Sequence, residues 1–290
     1  MQAFLYYVSY PFIYLIACAP FWLLYIFSDI LYYIFTTIGY RKKVVLENLK
    51  NSFPEKNEKE INQLYKAYYH YLCDLTLETL KTLRMTKKEA SERCVFHKQA
   101  WLDKLHAENK SILIVMGHHG NWEWAGPSFT LNNPYQLVVI YKPLSNKYFE
   151  RLMSYMRTKF GTRITPVQNT LRDMVAHRNQ VTATAFIADQ TATPEHAYWT
   201  KFLNQDTPVF TGPEKLAKKF NYPVVYMQVR RIKRGYYEVT PELLFLTPKD
   251  TAETEISEVF TRRLEKEILL QPYTWLWSHR RWKYKRPQIT

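Results

Sequence analysis

From Ser111 onward the chain alternates short apolar runs with longer amphipathic stretches. The runs Ile112–Met116, Gln136–Tyr141, Val181–Ala188, Pro223–Val229 and Tyr237–Thr240 have the length and apolar, largely β-branched and aromatic content of strands. Trp122–Phe129, Lys147–Phe160, Thr170–His177, Pro213–Phe220 and Glu255–Leu270 read as helices. Such alternation predicts an α/β sandwich with parallel strands. Upstream, Ile61, Leu64, Tyr65, Tyr68, Leu72, Leu75 and Leu83 recur at helical spacing and predict one long helix over Glu58–Leu83. Asp74 and Glu78 are four apart on it, and the pair reads as a solvated or ion-paired face. Gln99–His106 reads as a short helix, and Thr191–Pro208 as a long loop placed like a lid.

The N-terminal pattern is different. The first twenty-eight residues carry no charge, and Phe4–Phe27 is long enough to cross a bilayer as a helix. Asp29 interrupts it, a second apolar run continues over Ile30–Tyr40, and Arg41-Lys42-Lys43 closes the region. That basic cluster predicts a cytoplasmic location for the residues C-terminal to it. With no basic residue before the apolar run, a cleaved signal peptide is not expected. The division is therefore a membrane anchor over residues 1–43 and a separate domain over 44–290. The pattern is compatible with runs that span the bilayer or lie in its interface.

Candidate chemistry gathers where the predicted strands end. Met116-Gly117-His118-His119-Gly120-Asn121-Trp122-Glu123-Trp124 comes directly after the first strand. His118 and Glu123 are five apart, which a regular helix does not bring to one face, so they meet only if the chain bends at Gly120-Asn121. A histidine steadied by a carboxylate is a general base. On spacing alone, polar residues at a strand end with Glu123 on a solvated helix face fit equally well. Lys142 lies beyond the second strand and Asp189-Gln190 beyond the third. Ligands in open α/β sheets bind beyond the carboxyl ends of the strands, so three polar clusters at equivalent ends look like an active-site rim.

Net charge adds a partner. At +14, the chain expects something acidic: nucleic acid, an anionic membrane surface or a phosphorylated substrate. Aromatics at 16 % suit a membrane interface as well as RNA binding, and the apolar N-terminus favours the membrane. The tail from His279 to Arg286 interleaves Arg280, Arg281, Lys283, Lys285 and Arg286 with Trp282 and Tyr284, which fits a solvated tail or a grip for RNA, an acidic carrier protein or anionic lipid head groups, and beside a membrane anchor the lipid or carrier reading is the stronger. Cys18, Cys73 and Cys94 have no metal or redox spacing, and no metal site is expected. There is no nucleophile-elbow serine and no Gly-rich phosphate loop.

Gly117-His118-His119-Gly120-Asn121-Trp122-Glu123 resembles the His-x4-Asp/Glu signature of glycerolipid acyltransferases, and more closely the Gly-His-x-Gly-Asn-Trp-Glu form of the bacterial lipid A biosynthesis (lauroyl/myristoyl) acyltransferases. Asn48-Leu49, Phe53-Pro54, Tyr141-Lys142-Pro143, Asn146, Ala188-Asp189-Gln190 and Trp277-Ser278-His279-Arg280-Arg281-Trp282-Lys283 look like that family's landmarks in its order, over nearly the whole chain. The resemblance implies a mixed, mainly parallel sheet flanked by helices behind a membrane-anchoring helical segment. It implies an O-acyltransferase of the bacterial inner membrane, working on the cytoplasmic face. An acyl group would pass from acyl carrier protein, or acyl-CoA, to a hydroxyl of a lipid A precursor, with no cofactor beyond that thioester co-substrate. His118 would be the base, Glu123 its orienter, and Asp189 a third member or a turn carboxylate. Gly120 and Asn121 would donate to the oxyanion. Lys142, Arg157 and Gln190 would contact substrate, with Arg151 and Arg163 as rivals to Arg157. His119, where the family often has an aromatic, would face away. Expected partners are acyl carrier protein, a lipid acceptor and anionic membrane lipids, without nucleic acid. The alternatives are another lipid acceptor (a lysophospholipid, an aminolipid or a mannosylated phosphoinositide) and a non-catalytic membrane-tethered binder of anionic lipid or nucleic acid.

Overall fold

A computed structural model describes residues 2–287. Helices α1 (Gln2–Cys18), α2 (Phe21–Ile38), α3 (Lys42–Ser52), α4 (Glu58–Lys81) and α5 (Lys87–Arg93) precede the first strand. Then come β1 (Cys94–Phe96), α6 (Ala100–Ala107), β2 (Ile112–Met116), α7 (Trp122–Asn132), β3 (Gln136–Tyr141), α8 (Lys147–Thr158), β4 (Arg163–Pro166), α9 (Thr170–Ala176) and β5 (Thr182–Ile187). The chain continues through β6 (Tyr198–Phe202), β7 (Gln205–Val209), α10 (Gly212–Phe220), β8 (Val224–Lys233), β9 (Tyr236–Phe245) and α11 (Glu255–Leu270).

Seven strands form one sheet in the order β1-β9-β8-β2-β5-β3-β4, parallel throughout except for the β8–β9 hairpin. Helices cover both faces, so the central strand β2 is buried along its whole length and needs apolar residues at successive positions rather than alternation. One face packs on α3, α4, α10 and α11; the other on α6 and α7. The long α4 starts at a reciprocal cap, with Asn57 accepting from the Lys59 and Glu60 amides and Glu60 accepting from the Asn57 amide. The mainly parallel α/β expectation holds.

Two expectations are corrected. Of the two prolines able to kink the apolar region, Pro11 lies inside α1 and Pro20 caps α2, so the break falls at Ala19-Pro20, and α2 runs on through Asp29 without the expected interruption. Asp29 does not interrupt the helix because its carboxylate is held by Arg234, at 2.5 Å from Nη2. Thr191–Pro208 is largely not an irregular loop, since β6 and β7 form an antiparallel hairpin within it. Its turn, Leu203-Asn204, has positive φ at both residues, and Phe202 and Leu203 are buried against the main core.

Both N-terminal helices pack on the body, α1 on α4 and α8 and α2 on α4. The Lys81 ammonium donates to the carbonyls of Ala17 and Ala19 at their junction. Their outer faces expose Phe4, Tyr7, Phe12, Leu15, Trp22, Ile30, Tyr33 and Ile38. Among the described residues only α2 is long and apolar enough to cross a bilayer, and just 11 % of it is buried.

Candidate active site

The sheet register builds the site. Met116 on β2 pairs with Ile187 on β5, and the Ala188 amide donates to the Met116 carbonyl. Two residues beyond that pair, the parallel strands deliver His118 and Asp189 side by side. The Nδ1 of His118 lies 2.5 Å from Asp189 Oδ1. Asp189 Oδ2 accepts the His118 backbone N–H at 2.7 Å and the Trp275 indole N–H at 2.8 Å. Burial pushes the Asp189 carboxyl up, but the His118 charge and these three donors outweigh it and bring it to about 2. Asp189 is therefore a fixed anion, and it settles the imidazole tautomer with the proton on Nδ1. The other nitrogen, Nε2, faces the exposed Gln190 amide at 3.4 Å. The Trp122 ring packs edge-on against the imidazole, centroids 5.0 Å apart.

Two glycines make this geometry possible. A Cβ at Gly117 would lie 2.5 Å from the Leu264 side chain and 3.2 Å from Asp189 Oδ2. At Gly120, φ is +59° and a Cβ would sit 2.2 Å from the Val229 carbonyl oxygen. That left-handed residue turns the chain from the strand end into α7, where Asn121 caps the helix by accepting from the Trp124 amide.

Glu123 is placed otherwise than expected. Its carboxylate receives a two-point grip from Arg157 on α8, Nη2 to Oε1 at 2.6 Å and Nε to Oε2 at 3.1 Å. The carboxylate on the imidazole is Asp189, because only the β2–β5 register puts an acid beside Nδ1, while the first turn of α7 directs Glu123 to α8. Arg157 is thus joined to Glu123 and not free, and its guanidinium is held charged against burial by that carboxylate. The expected oxyanion donors are also engaged: the Gly120 N–H with the Thr274 carbonyl at 3.0 Å, and the fully buried Asn121 amide with Glu78 at 2.8 Å. Lys142 comes just after β3 and is exposed; Gln190 is exposed beside His118. His119 turns inward, as the resemblance implied.

A family model described as bacterial lipid A biosynthesis acyltransferase matches residues 1–284. The chain belongs to that family. This acyltransferase is 22 % identical to the lipid A biosynthesis palmitoleoyltransferase of Escherichia coli K12, over 84 % of this chain and 79 % of that one. It is 22 % identical to the lipid A biosynthesis lauroyltransferase of the same organism, over 86 % and 80 %. A lipid A biosynthesis acyltransferase of Haemophilus influenzae matches at 21 %, over 66 % and 60 %.

The acyltransferase carries a second polar centre behind the first. Asp74 and Glu78, expected on a solvated or ion-paired face of α4, are both buried. Asp74 does find ion pairs, with Arg231 at 2.6 Å and Arg234 at 2.7 Å, plus a hydrogen bond from Ser28 on α2. Glu78 instead accepts from Tyr25, Asn121 and Tyr237, all neutral donors at 2.8–2.9 Å. Burial and the Asp74 charge raise its pKa, against the donors and Arg231. Through Glu78 the loop that carries His118 is tied to α2 and α4. Four-residue spacing on α4 shows that the two acids share a face; their partners lie as far as 160 residues away in sequence and leave no local signal. Arg281 is also buried, beside a void of about 10 Å³ next to Asp189, and burial lowers its pKa to about 10.

Proposed function

We propose that this enzyme transfers a fatty acyl group from a thioester donor, acyl carrier protein, to a hydroxyl of a lipid A precursor. His118 Nε2 takes the proton of the acceptor hydroxyl as that oxygen attacks the thioester carbonyl. The C–O bond forms, the C–S bond breaks, and the departing thiolate takes the proton back from Nε2. Asp189 holds the productive tautomer and offsets the imidazolium charge between these steps. Direct transfer needs no covalent acyl-enzyme. With the Gly120 N–H and the Asn121 side-chain amide engaged, the first-turn backbone N–H groups of α7 at Trp122 and Glu123, which have no intrahelical partner, would serve the developing oxyanion. The Glu123–Arg157 pair ties the start of α7 to α8 beside the base, and the exposed Lys142 and Gln190 are left for substrate.

One observation carries this reading: a histidine with a buried carboxylate on Nδ1 and an Nε2 met only by the exposed Gln190 amide among the described residues, at the carboxyl ends of two parallel strands. The anchor reading rests on the exposed apolar faces of α1 and α2 and on the Arg41-Lys42-Lys43 cluster behind them. It places residues 1–43 in the bacterial inner membrane and the remaining domain on its cytoplasmic face, with anionic lipids around it. The test is transfer by the purified full-length protein from labelled acyl carrier protein to a panel of lipid acceptors, read by mass spectrometry. Acylated lipid A precursor is the expected product; transfer to a lysophospholipid alone overturns the acceptor assignment.

A further inference from the structure

A groove of about 670 Å³ opens between the start of α3, the β6–β7 turn and the C-terminal segment 280–286. Five cations line it: Lys43, Arg280, Lys283, Lys285 and Arg286. Only two carboxylates do, Glu47 and Asp206. Among the described residues none of the five cations has a carboxylate within ion-pair distance. Five cations against two carboxylates leave an excess of like charge whose repulsion a bound anion relieves. Trp282 gives the groove a rigid wall, since it donates to Thr207 at 2.7 Å and stacks on Phe202.

The groove touches both halves of the enzyme. Lys43 comes five residues after the apolar helix α2 ends at Ile38, the depth at which a helix in a bilayer meets the head groups. At the other end, the Thr191 hydroxyl donates to the carbonyls of Arg280 and Arg281, and the preceding Gln190 faces His118 Nε2. The segment that lines the groove is thereby bonded to the residue that follows Gln190, which couples the groove to the loop facing the base. We propose that this groove binds the phosphorylated head group of a membrane lipid, and so holds the acceptor while His118 acts on its hydroxyl. The inference rests on the reading that the enzyme acylates a lipid, and it adds the chemistry by which that lipid is gripped.

The test uses full-length protein in dodecyl maltoside micelles carrying phosphatidic acid, with binding read by titration calorimetry. The doubly substituted Arg280→Gln, Lys285→Gln protein should bind phosphatidic acid about thirtyfold more weakly, two surface cations having been removed. In turnover its defect should fall on KM for the lipid acceptor rather than on kcat. The charge-conserving Arg280→Lys, Lys285→Arg protein should keep most of the affinity, which separates charge from folding. His118→Ala should bind phosphatidic acid as the unaltered protein does. Unchanged affinity in the Gln variant overturns the proposal. So does inorganic phosphate binding as tightly as the lipid, or a loss confined to acyl carrier protein, which would make the groove a protein-docking face. If phosphatidic acid binds through these residues but the unaltered enzyme transfers acyl groups to no lipid, the groove stands and the acylation reading falls.

Discussion

His118 and His119 are neighbours in the chain, and each has a carboxylate at its Nδ1, but their surroundings are opposite. Asp189 lies 2.5 Å from His118, whose Nε2 meets only the exposed Gln190 amide among the described residues. Glu267 lies 3.2 Å from His119, whose Nε2 is met by the Thr274 hydroxyl at 2.8 Å and the Gln271 carbonyl at 3.2 Å. Glu267 is in turn bonded to the Val229 amide and the Tyr226 hydroxyl. Successive residues of extended chain point to opposite sides, so one imidazole keeps partial contact with solvent and the other is enclosed in the interior. The contacts differ too: Asp189 is the hydrogen-bond partner of His118 Nδ1, whereas His119 Nδ1 bonds to the Val229 carbonyl at 3.3 Å with Glu267 only nearby. Only His118 has a ring nitrogen whose partner is an exposed side chain that a substrate could displace, which is what the proposed base requires.

Replacing the cleft histidine strikes hardest at this contrast. His118→Ala should lower kcat by about 10³- to 10⁴-fold with little change in melting temperature, because it removes the proton acceptor from a half-buried position. Near-normal turnover in that variant would end the base assignment.

Asp189→Asn comes next, at about 10³-fold in kcat, and the geometry gives the reason. Two N–H donors, from His118 and Trp275, converge on Oδ2, so the asparagine oxygen must stay there. Its amide nitrogen then faces Nδ1 and forces the ring proton onto Nε2, the wrong tautomer for a base. A steady-state pH profile lacking the base limb, with a retained melting temperature, is the expected result.

His119→Ala should do the reverse. It empties a buried position and removes the ring's hydrogen bonds to Thr274, Gln271 and Val229, at about 3 kcal/mol of stability measured by denaturant unfolding. The surviving folded fraction should turn over at close to the normal rate per molecule. Loss of chemistry without loss of stability would mean that the two pairs had been assigned the wrong way round.

Much of this was legible in the sequence. Strands β2 and β3 and helix α11 have the limits that hydrophobic pattern predicts, and β5 and α7 differ only at their ends. Strand-end position also brought His118, Lys142 and Asp189 forward together. What pattern missed has physical causes. Strands β1 and β4 are too short for periodicity to register, and the β6–β7 hairpin owes its strands to burial of Phe202 and Leu203 on α11 and the aromatic tail rather than to alternation. Motif spacing made Glu123 the partner of His118, whereas the partner comes from the register of two strands, 71 residues apart in sequence. The burial of Asp74 and Glu78 depends on the β8–β9 hairpin returning Arg231, Arg234 and Tyr237 to α4.

Acid titration sharpens the contrast between the carboxylates at smaller amplitude. Asp189 is depressed from an ordinary 3.8 to about 2, so its contribution to stability is complete above about pH 4 and is lost as pH falls through about 2. Glu78 is shifted upward by burial and the Asp74 charge, so protonation relieves its cost rather than adding one. Acid unfolding of Asp189→Asn should therefore be shallower than that of the parent protein between about pH 4 and 2, while Glu78→Gln should leave that interval unchanged. Circular dichroism against pH reads both. An unaltered slope in Asp189→Asn would mean that Asp189 is not the anion on which the acid limb depends.

The smallest effect expected is at Glu123, although it is the carboxylate of the motif itself. Its two oxygens hold Arg157 Nη2 and Nε on α8, and glutamine keeps one acceptor for that guanidinium while losing the charge and the second contact. The rim should loosen but the base should remain poised, so Glu123→Gln should lose about tenfold in kcat/KM, with Arg157→Lys losing a similar factor because lysine lacks the planar fork. The double substitution should be little worse than either single change, since each already breaks the same contact. A drop in Glu123→Gln as deep as that of His118→Ala, unmatched in Arg157→Lys, would show Glu123 working on the reacting atoms directly, and the division of labour between the carboxylates at 123 and 189 would have to be redrawn.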